Sequence, residues 1–232
     1  FLALLWDIGL EVGHSVRSIR ECRVQAELDV TIVTAMLEAR TLCGDESLQE
    51  KMRERISIKK IWPAKKFFQA KVAEQNERHR KSEYTEYSLE PDVKVSPGGL
   101  RDIQTIMWVA NRHFDVEKFS DLVKQKILTR NEGKQLSESL SLLWKIRCGL
   151  HIITGRDDNR LLFEHQRTLA GIFGFEDNDQ LAVEQFMQVY YRLAMQVRAT
   201  NDLLLQSFEE VILRSNDQQR IVTINERFQT CD

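Results

Sequence analysis

At 232 residues and a formal net charge of −2, the chain is long enough for one large domain or two small ones, and its charge balance points to neither nucleic acid nor an anionic membrane as a partner. Ten glycines and three prolines are too few for an all-β sandwich or a disordered chain, so composition favours a mainly helical protein. The cysteines (Cys22, Cys43, Cys148, Cys231) form no CxxC pair and the histidines no HxxxH or HExxH pair, which argues against a zinc site or a disulfide framework and suits a reducing cytosol.

The opening run Phe1-Leu2-Ala3-Leu4-Leu5-Trp6 reads as a buried strand, too short for a signal peptide and lacking a basic leader. A lone strand cannot satisfy its own backbone, so the chain is expected to begin inside an element whose partner strands precede it. Gly9 and Gly13 bracket a second extended piece, Leu10-Glu11-Val12. Ser18 with Glu21 has capping-box spacing and predicts a helix to about Leu28. Asp29 caps the next, with Gly44 as its stop, and a short helix follows from Asp45 to about Ile56.

A boundary is expected near Ser57 to Pro63, where the mixed start gives way to helices only. From Pro63 to about Lys81 the chain predicts a long charged helix, solvated on most of its surface. A loop over 82–98 feeds a helix from Gly99 to Phe114, and Val116 to Leu128 reads as a short helix. Thr129 caps a longer one that Gly155 ends. The polar loop 156–160 leads to a helix over Leu161 to Phe173, closed by Gly174. Asn178 to about Leu213, free of glycine and proline, predicts the backbone of a bundle. Ser215 to Gln219 reads as a linker, and Ile221 to Phe228 as the start of a further element. No run of about 18 apolar residues is present to span a membrane.

The chemistry concentrates where Leu89-Glu90-Pro91-Asp92-Val93-Lys94-Val95-Ser96-Pro97-Gly98-Gly99-Leu100-Arg101-Asp102 meets the amphipathic run after it. A loop entering a helix N-terminus is an anion site when its amides are unpaired, and Lys94 and Arg101 add charge. Pro-Gly-Gly before a helix serves equally as a sharp turn, and neither GxGxxG nor GxxxxGK[ST] occurs.

The run EPDVKVSPGGLRDIQTIMWVANRHF resembles the signature of the bacterial bifunctional uridylyltransferase/uridylyl-removing enzymes that modify the PII nitrogen-signalling protein. LLWDIGLEVGHSVRS, TAMLEARTLCGD and GRDDNRLLFEHQ resemble that family in the same order, so the likeness covers nearly the whole chain. Glutamine-synthetase adenylyltransferases carry a comparable Gly-Gly segment and are the alternative enzyme; a non-catalytic helical regulatory or binding module is the alternative of another class.

The resemblance implies a helical bundle preceded by a small α/β remnant of a nucleotidyltransferase fold. Its domains would be the C-terminal part of the nucleotidyltransferase domain (1–58), a helical domain (59–214) and a linker (215–232) toward a phosphohydrolase domain absent here. The implied activity is transfer of UMP from UTP to PII in the cytoplasm with Mg²⁺ or Mn²⁺, with glutamine as an effector through absent regulatory domains. The isolated chain is expected to be inactive. Asp7 matches the third metal-binding catalytic carboxylate, with Glu11 as the other candidate, while Ser15, Arg17, Lys94, Gly98, Gly99, Arg101 and Asp102 match nucleotide-binding positions. Arg156, Asp157, Asn159 and Arg160 would serve the same cleft or tie helices together. Asp102 is expected to cap its helix or to fix Arg101.

Overall fold

A computed structural model describes residues 2–10, 12–81, 89–214, 221–223 and 229–231. Glu11, the loop residues 82–88 and the expected linker 215–219 lie outside that set. The chain divides into two compact units, Phe1–Pro63 and Ala64–Asp232.

The first unit holds α1 (Leu2–Asp7), α2 (Ile19–Leu28), α3 (Val30–Leu37) and α4 (Ser47–Arg55). The predicted opening strand is therefore a helix, and Leu10 and Val12 belong to no strand. An apolar run of six residues carries no period to separate strand from helix, and a helix closes its hydrogen bonds within itself. Leu4, Trp6 and Ile8 remain exposed, so α1 buries little.

Ser18 caps α2 as a full capping box: its hydroxyl oxygen accepts from the Glu21 amide, and the Glu21 carboxylate accepts from the Ser18 amide at 2.7 Å. Asp29 is shared by two helices, its amide donating to the Gln25 carbonyl while its side chain accepts from the Thr31 amide at 2.7 Å. The corner leaves Ala26, Val33 and Met36 buried, and Trp62 Nε1 donates to the Ala26 carbonyl at 2.7 Å.

The second unit contains α5 (Ala64–Lys81), α6 (Leu100–Phe114), α7 (Phe119–Lys124), α8 (Arg130–Thr154), α9 (Phe163–Ile172) and α10 (Ala182–Arg214). A short antiparallel pair follows, β1 (Ile221–Thr223) with β2 (Gln229–Cys231), in register Val222 to Thr230. This is the mainly α bundle that composition and periodicity predict. The 33-residue α10 packs on α5, α6, α8 and α9 through Phe186, Tyr190, Leu193, Val197, Leu204 and Phe208. Thr129 and Glu132 form a second capping box at α8, and Gly155 ends that helix in the left-handed region at φ +65°. Helix α7 is shorter than the reading of Val116–Leu128, because Lys126 adopts φ +60° and turns the chain. Residues 178–181 precede α10 as a loop in which Gln185 Nε2 donates to the Glu176 and Gln180 carbonyls.

Helix α5 departs from its expected solvated character. Phe67, Phe68, Lys71 and Gln75 are buried, and Arg78 and His79 continue the same side one turn further on. That spacing is a helical stripe written half in polar residues.

Candidate functional site

The junction at 89–102 is built by its own backbone. Asp92 Oδ1 accepts from the amides of Lys94 and Val95 at 2.8 and 2.9 Å, and the Asp92 amide donates to Ser96 Oγ at 3.0 Å. The turn then feeds its carbonyls to the start of α6: Leu100 N–H reaches Val93 O at 3.0 Å, Arg101 N–H reaches Lys94 O at 2.8 Å, and Gly99 N–H reaches Ser96 O at 2.9 Å. Gly98 N–H donates to Asp102 Oδ2 at 2.8 Å. The amides of residues 98 to 101, expected to be unpaired, are thus all taken within the loop. Anion recognition at this junction rests on side chains rather than on a bare helix terminus.

The glycines serve packing. Gly98 lies at φ +77°, and a Cβ there would fall 2.1 Å from the Ala194 carbonyl oxygen of α10. One on Gly99 would fall 2.8 Å from Ser96 O and 2.9 Å from Val93 O. Only glycine fits at either position. Tyr190, just over one turn earlier on α10, is buried, and burial, reinforced by the nearby Asp92 carboxylate, pushes its phenol pKa up.

Asp102 is fully buried and is the node of the junction. Besides Gly98, its carboxylate takes Arg78 Nη2 at 2.6 Å and lies 2.9 and 3.1 Å from His79 Nε2. It therefore ties the Gly-Gly turn to the first turn of α6 without capping that helix, whose N-cap Gly99 has no side-chain cap bond, and it fixes Arg78 and His79 of α5 rather than Arg101. The Arg101 guanidinium instead lies over the Trp108 ring at 5.2 Å, and Lys71 Nζ occupies the same ring at 4.2 Å. Lys71 is 1% exposed and pairs with Glu74 at 2.6 Å. Burial first, and then repulsion from Arg101 and Arg78, hold its ammonium pKa below the usual lysine value against the pull of Glu74. Lys94 is half-buried, with no carboxylate partner for its ammonium among the described residues.

The second polar loop is stitched to the first. Val93 N–H donates to Asn159 O at 2.9 Å and Leu161 N–H to Pro91 O at 2.8 Å, so Asp92 and Arg160 pair as an antiparallel bridge. Arg147 Nε of α8 holds Asn159 Oδ1 at 2.7 Å, and Gln166 Nε2 of α9 ties Leu89 O to Leu161 O. Arg156 pairs with Asp158 at 2.9 Å, while Asp157 accepts from Asn159 through its carbonyl.

Lys94, Gly98, Gly99, Arg101 and Asp102 thus share one junction of the second unit. Asp7, Ser15 and Arg17 belong to the first unit, each exposed, Asp7 at the end of α1. Among the described residues no three His, Cys, Asp or Glu side chains converge to hold a metal ion, so these residues do not by themselves compose a Mg²⁺ or Mn²⁺ site. Sequence reasoning missed Lys71, Arg78 and His79; their signal was the shared stripe with Phe67, Phe68 and Gln75.

A helical bundle stapled around this loop-to-helix junction defines the class, and the chain belongs to the GlnD PII-uridylyltransferase family, whose model matches residues 66–205. It is 51% identical over its whole length to the bifunctional uridylyltransferase/uridylyl-removing enzyme of Pseudomonas aeruginosa strain UCBPP-PA14 and 50% identical to that of Stutzerimonas stutzeri strain A1501. The Pseudomonas syringae pv. tomato enzyme of the same name is 51% identical. In each case the match takes in 100% of this chain and 26% of the relative, so the chain spans about a quarter of the length of these proteins. No solved structure matches.

Proposed function

We propose that this chain is part of a protein that transfers UMP from UTP to a PII signalling protein and removes it hydrolytically, and that the 232-residue chain alone catalyses neither reaction. The observation that carries this reading is the identity of 51% along the entire chain, both units included, to enzymes named for those two activities. In this reading Lys94 and Arg101 face phosphate, because the junction keeps its backbone donors for itself and leaves cationic side chains as the groups that attract an anion. Gly98, Gly99 and Asp102 hold those two in place; within the first unit, Ser15 and Arg17 are the residues given to the nucleotide. Asp7 is the residue of the first unit assigned to catalysis.

The test compares the full-length protein carrying this segment with the isolated chain, each given UTP, Mg²⁺ and a PII protein, with UMP addition read as a mass increase on PII. Addition by the full-length protein and none by the isolated chain is the expected result. No addition by the full-length protein would remove the transferase reading, and turnover by the isolated chain would remove the claim of inactivity.

A further inference from the structure

Two cations of the second unit share the ring of Trp108, which is itself 5% exposed: Lys71 Nζ lies 4.2 Å from its centroid and Arg101 Cζ 5.2 Å. An aromatic ring attracts one cation, but two on the same ring repel each other unless counter-charges are at hand. Two carboxylates are tied into this cluster, and cations of α5 hold both. Asp102 accepts from Arg78 Nη2 at 2.6 Å and from the Gly98 amide at 2.8 Å, with His79 Nε2 at 2.9 Å. Glu74 accepts from Lys71 Nζ at 2.6 Å. The Arg101 guanidinium is left with no hydrogen bond or ion pair among the described residues.

The two acids differ in their freedom to change partner. Asp102 is 0% exposed and held from three sides, so it cannot turn. Glu74 is 35% exposed and held by Lys71, which at 1% exposed cannot follow it outward. After burial and the opposing pull of Glu74, repulsion from Arg101 and then from Arg78 is what acts on the Lys71 ammonium, so these cations lie close enough to compete for one acid. Stability is a poor reason for an ammonium in this place, because burying a charge costs about as much as its pairing returns.

We propose that Lys71 is a positioning residue, which keeps Arg101 open to an anion by holding the Glu74 carboxylate away from it. Without the ammonium, Glu74 turns to the unpaired guanidinium on the same ring and closes it to other anions. That the anion is a phosphate of UTP rests on the proposed uridylyl transfer; the hold of Lys71 on Glu74 does not.

Phenylglyoxal reads this without a nucleotide, since it adds to a guanidine more slowly when a carboxylate covers the group and holds it protonated. The full-length protein is treated with it, and the rate at Arg101 is followed by peptide mass spectrometry against that at Arg167, exposed on α9. Lys71→Met should slow Arg101 about threefold to tenfold, the worth of a partly exposed pair of carboxylate and guanidinium, and leave Arg167 unchanged. Lys71→Met combined with Glu74→Gln should restore the parent rate, because the neutral amide no longer pairs with the guanidinium. In UMP transfer the KM for UTP should rise by the same factor in Lys71→Met at unchanged kcat, and return in the double variant.

An Arg101 rate unmoved or raised by Lys71→Met would overturn the proposal, whatever the protein transfers. Slowing that persists in the double variant would overturn it too, since Arg101 would then have settled onto the vacated ring rather than onto Glu74. Slowing and rescue at Arg101 with an unmoved KM would uphold the hold on Glu74 and take Arg101 away from phosphate. The same slowing and rescue in a protein that transfers no UMP would uphold it and sink the transferase reading alone.

Discussion

Alanine at Gly98 and alanine at Gly155 separate two costs that are usually mixed. Both glycines sit in the left-handed region, at φ +77° and +65°, so both substitutions incur the same backbone strain of about 1–2 kcal/mol. At Gly155 a new methyl meets nothing within 4 Å, and the loss should stop there. At Gly98 it lands 2.1, 2.6 and 2.8 Å from the O, C and Cα of Ala194, all backbone atoms of α10, where ordinary contact begins at 3.4 Å. The loop or the 33-residue helix must shift by more than an ångström, and since a helix backbone has no rotamer to yield, the overpacking cost lies at the upper end, about 2–3 kcal/mol more. The total of about 3–5 kcal/mol at Gly98 is a large fraction of the 5–15 kcal/mol typical of a domain. Urea unfolding followed by far-UV circular dichroism reads the difference directly. With a slope of about 2 kcal/mol per molar urea, the Gly98→Ala midpoint should fall by about 2 M and the Gly155→Ala midpoint by under 1 M. Equal losses at the two sites would refute the claim that Gly98 exists for the contact with α10.

Asp102→Asn keeps an acceptor for the Gly98 amide but removes the charge that Arg78 and His79 face inside the protein; a loss of about 2–4 kcal/mol in the same urea assay is expected, and a loss under 1 would contradict the role as node. Lys71→Met should leave stability at pH 7 unchanged or higher, because the ammonium is buried and its partner Glu74 is 35% exposed and can turn to water. The folded pKa of Lys71 lies below the unfolded value, so between the two the unfolded chain binds the extra proton and stability from this group rises with pH; Lys71→Met should flatten that rise in urea midpoints measured as pH approaches the unfolded lysine value from below. Thr129→Ala should cost about 1 kcal/mol through loss of its cap. The Thr129 amide, then its hydroxyl, hold the Glu132 carboxyl below its usual pKa, so the box's contribution is complete above the unfolded value near 4.5 and fades as pH falls; the gap between Thr129→Ala and the parent protein should narrow on acidification, and a constant gap would contradict the pairing.

What could be read from the sequence was local. Ser18 with Glu21, Asp29, Thr129 with Glu132, and Gly155 each announce a helix end by chemistry within four residues, and each is found where that chemistry places it. The run Phe1–Trp6 failed because six apolar residues hold no period. The node at Asp102 could not be read at all from its neighbourhood: its partners lie 23 and 24 residues earlier, on a helix whose charge suggested solvent. The Gly-Gly turn was correctly singled out, but its reason lay in the backbone of α10, far downstream.

The seam between the two polar loops bears on how the second unit assembles. Its contacts join residues 73 and 77 apart, and closing a flexible loop of that length costs about 4 kcal/mol in chain entropy before any bond is made. A seam of that separation is expected to close late, after α6 and α8 have met, so that its bonds contribute little to the folding transition state. Weakening it with Gln166→Ala, which removes the side-chain bonds to the Leu89 and Leu161 carbonyls, should then leave the refolding rate alone and speed unfolding. On that expectation the two polar loops set how long the bundle stays folded once it has formed.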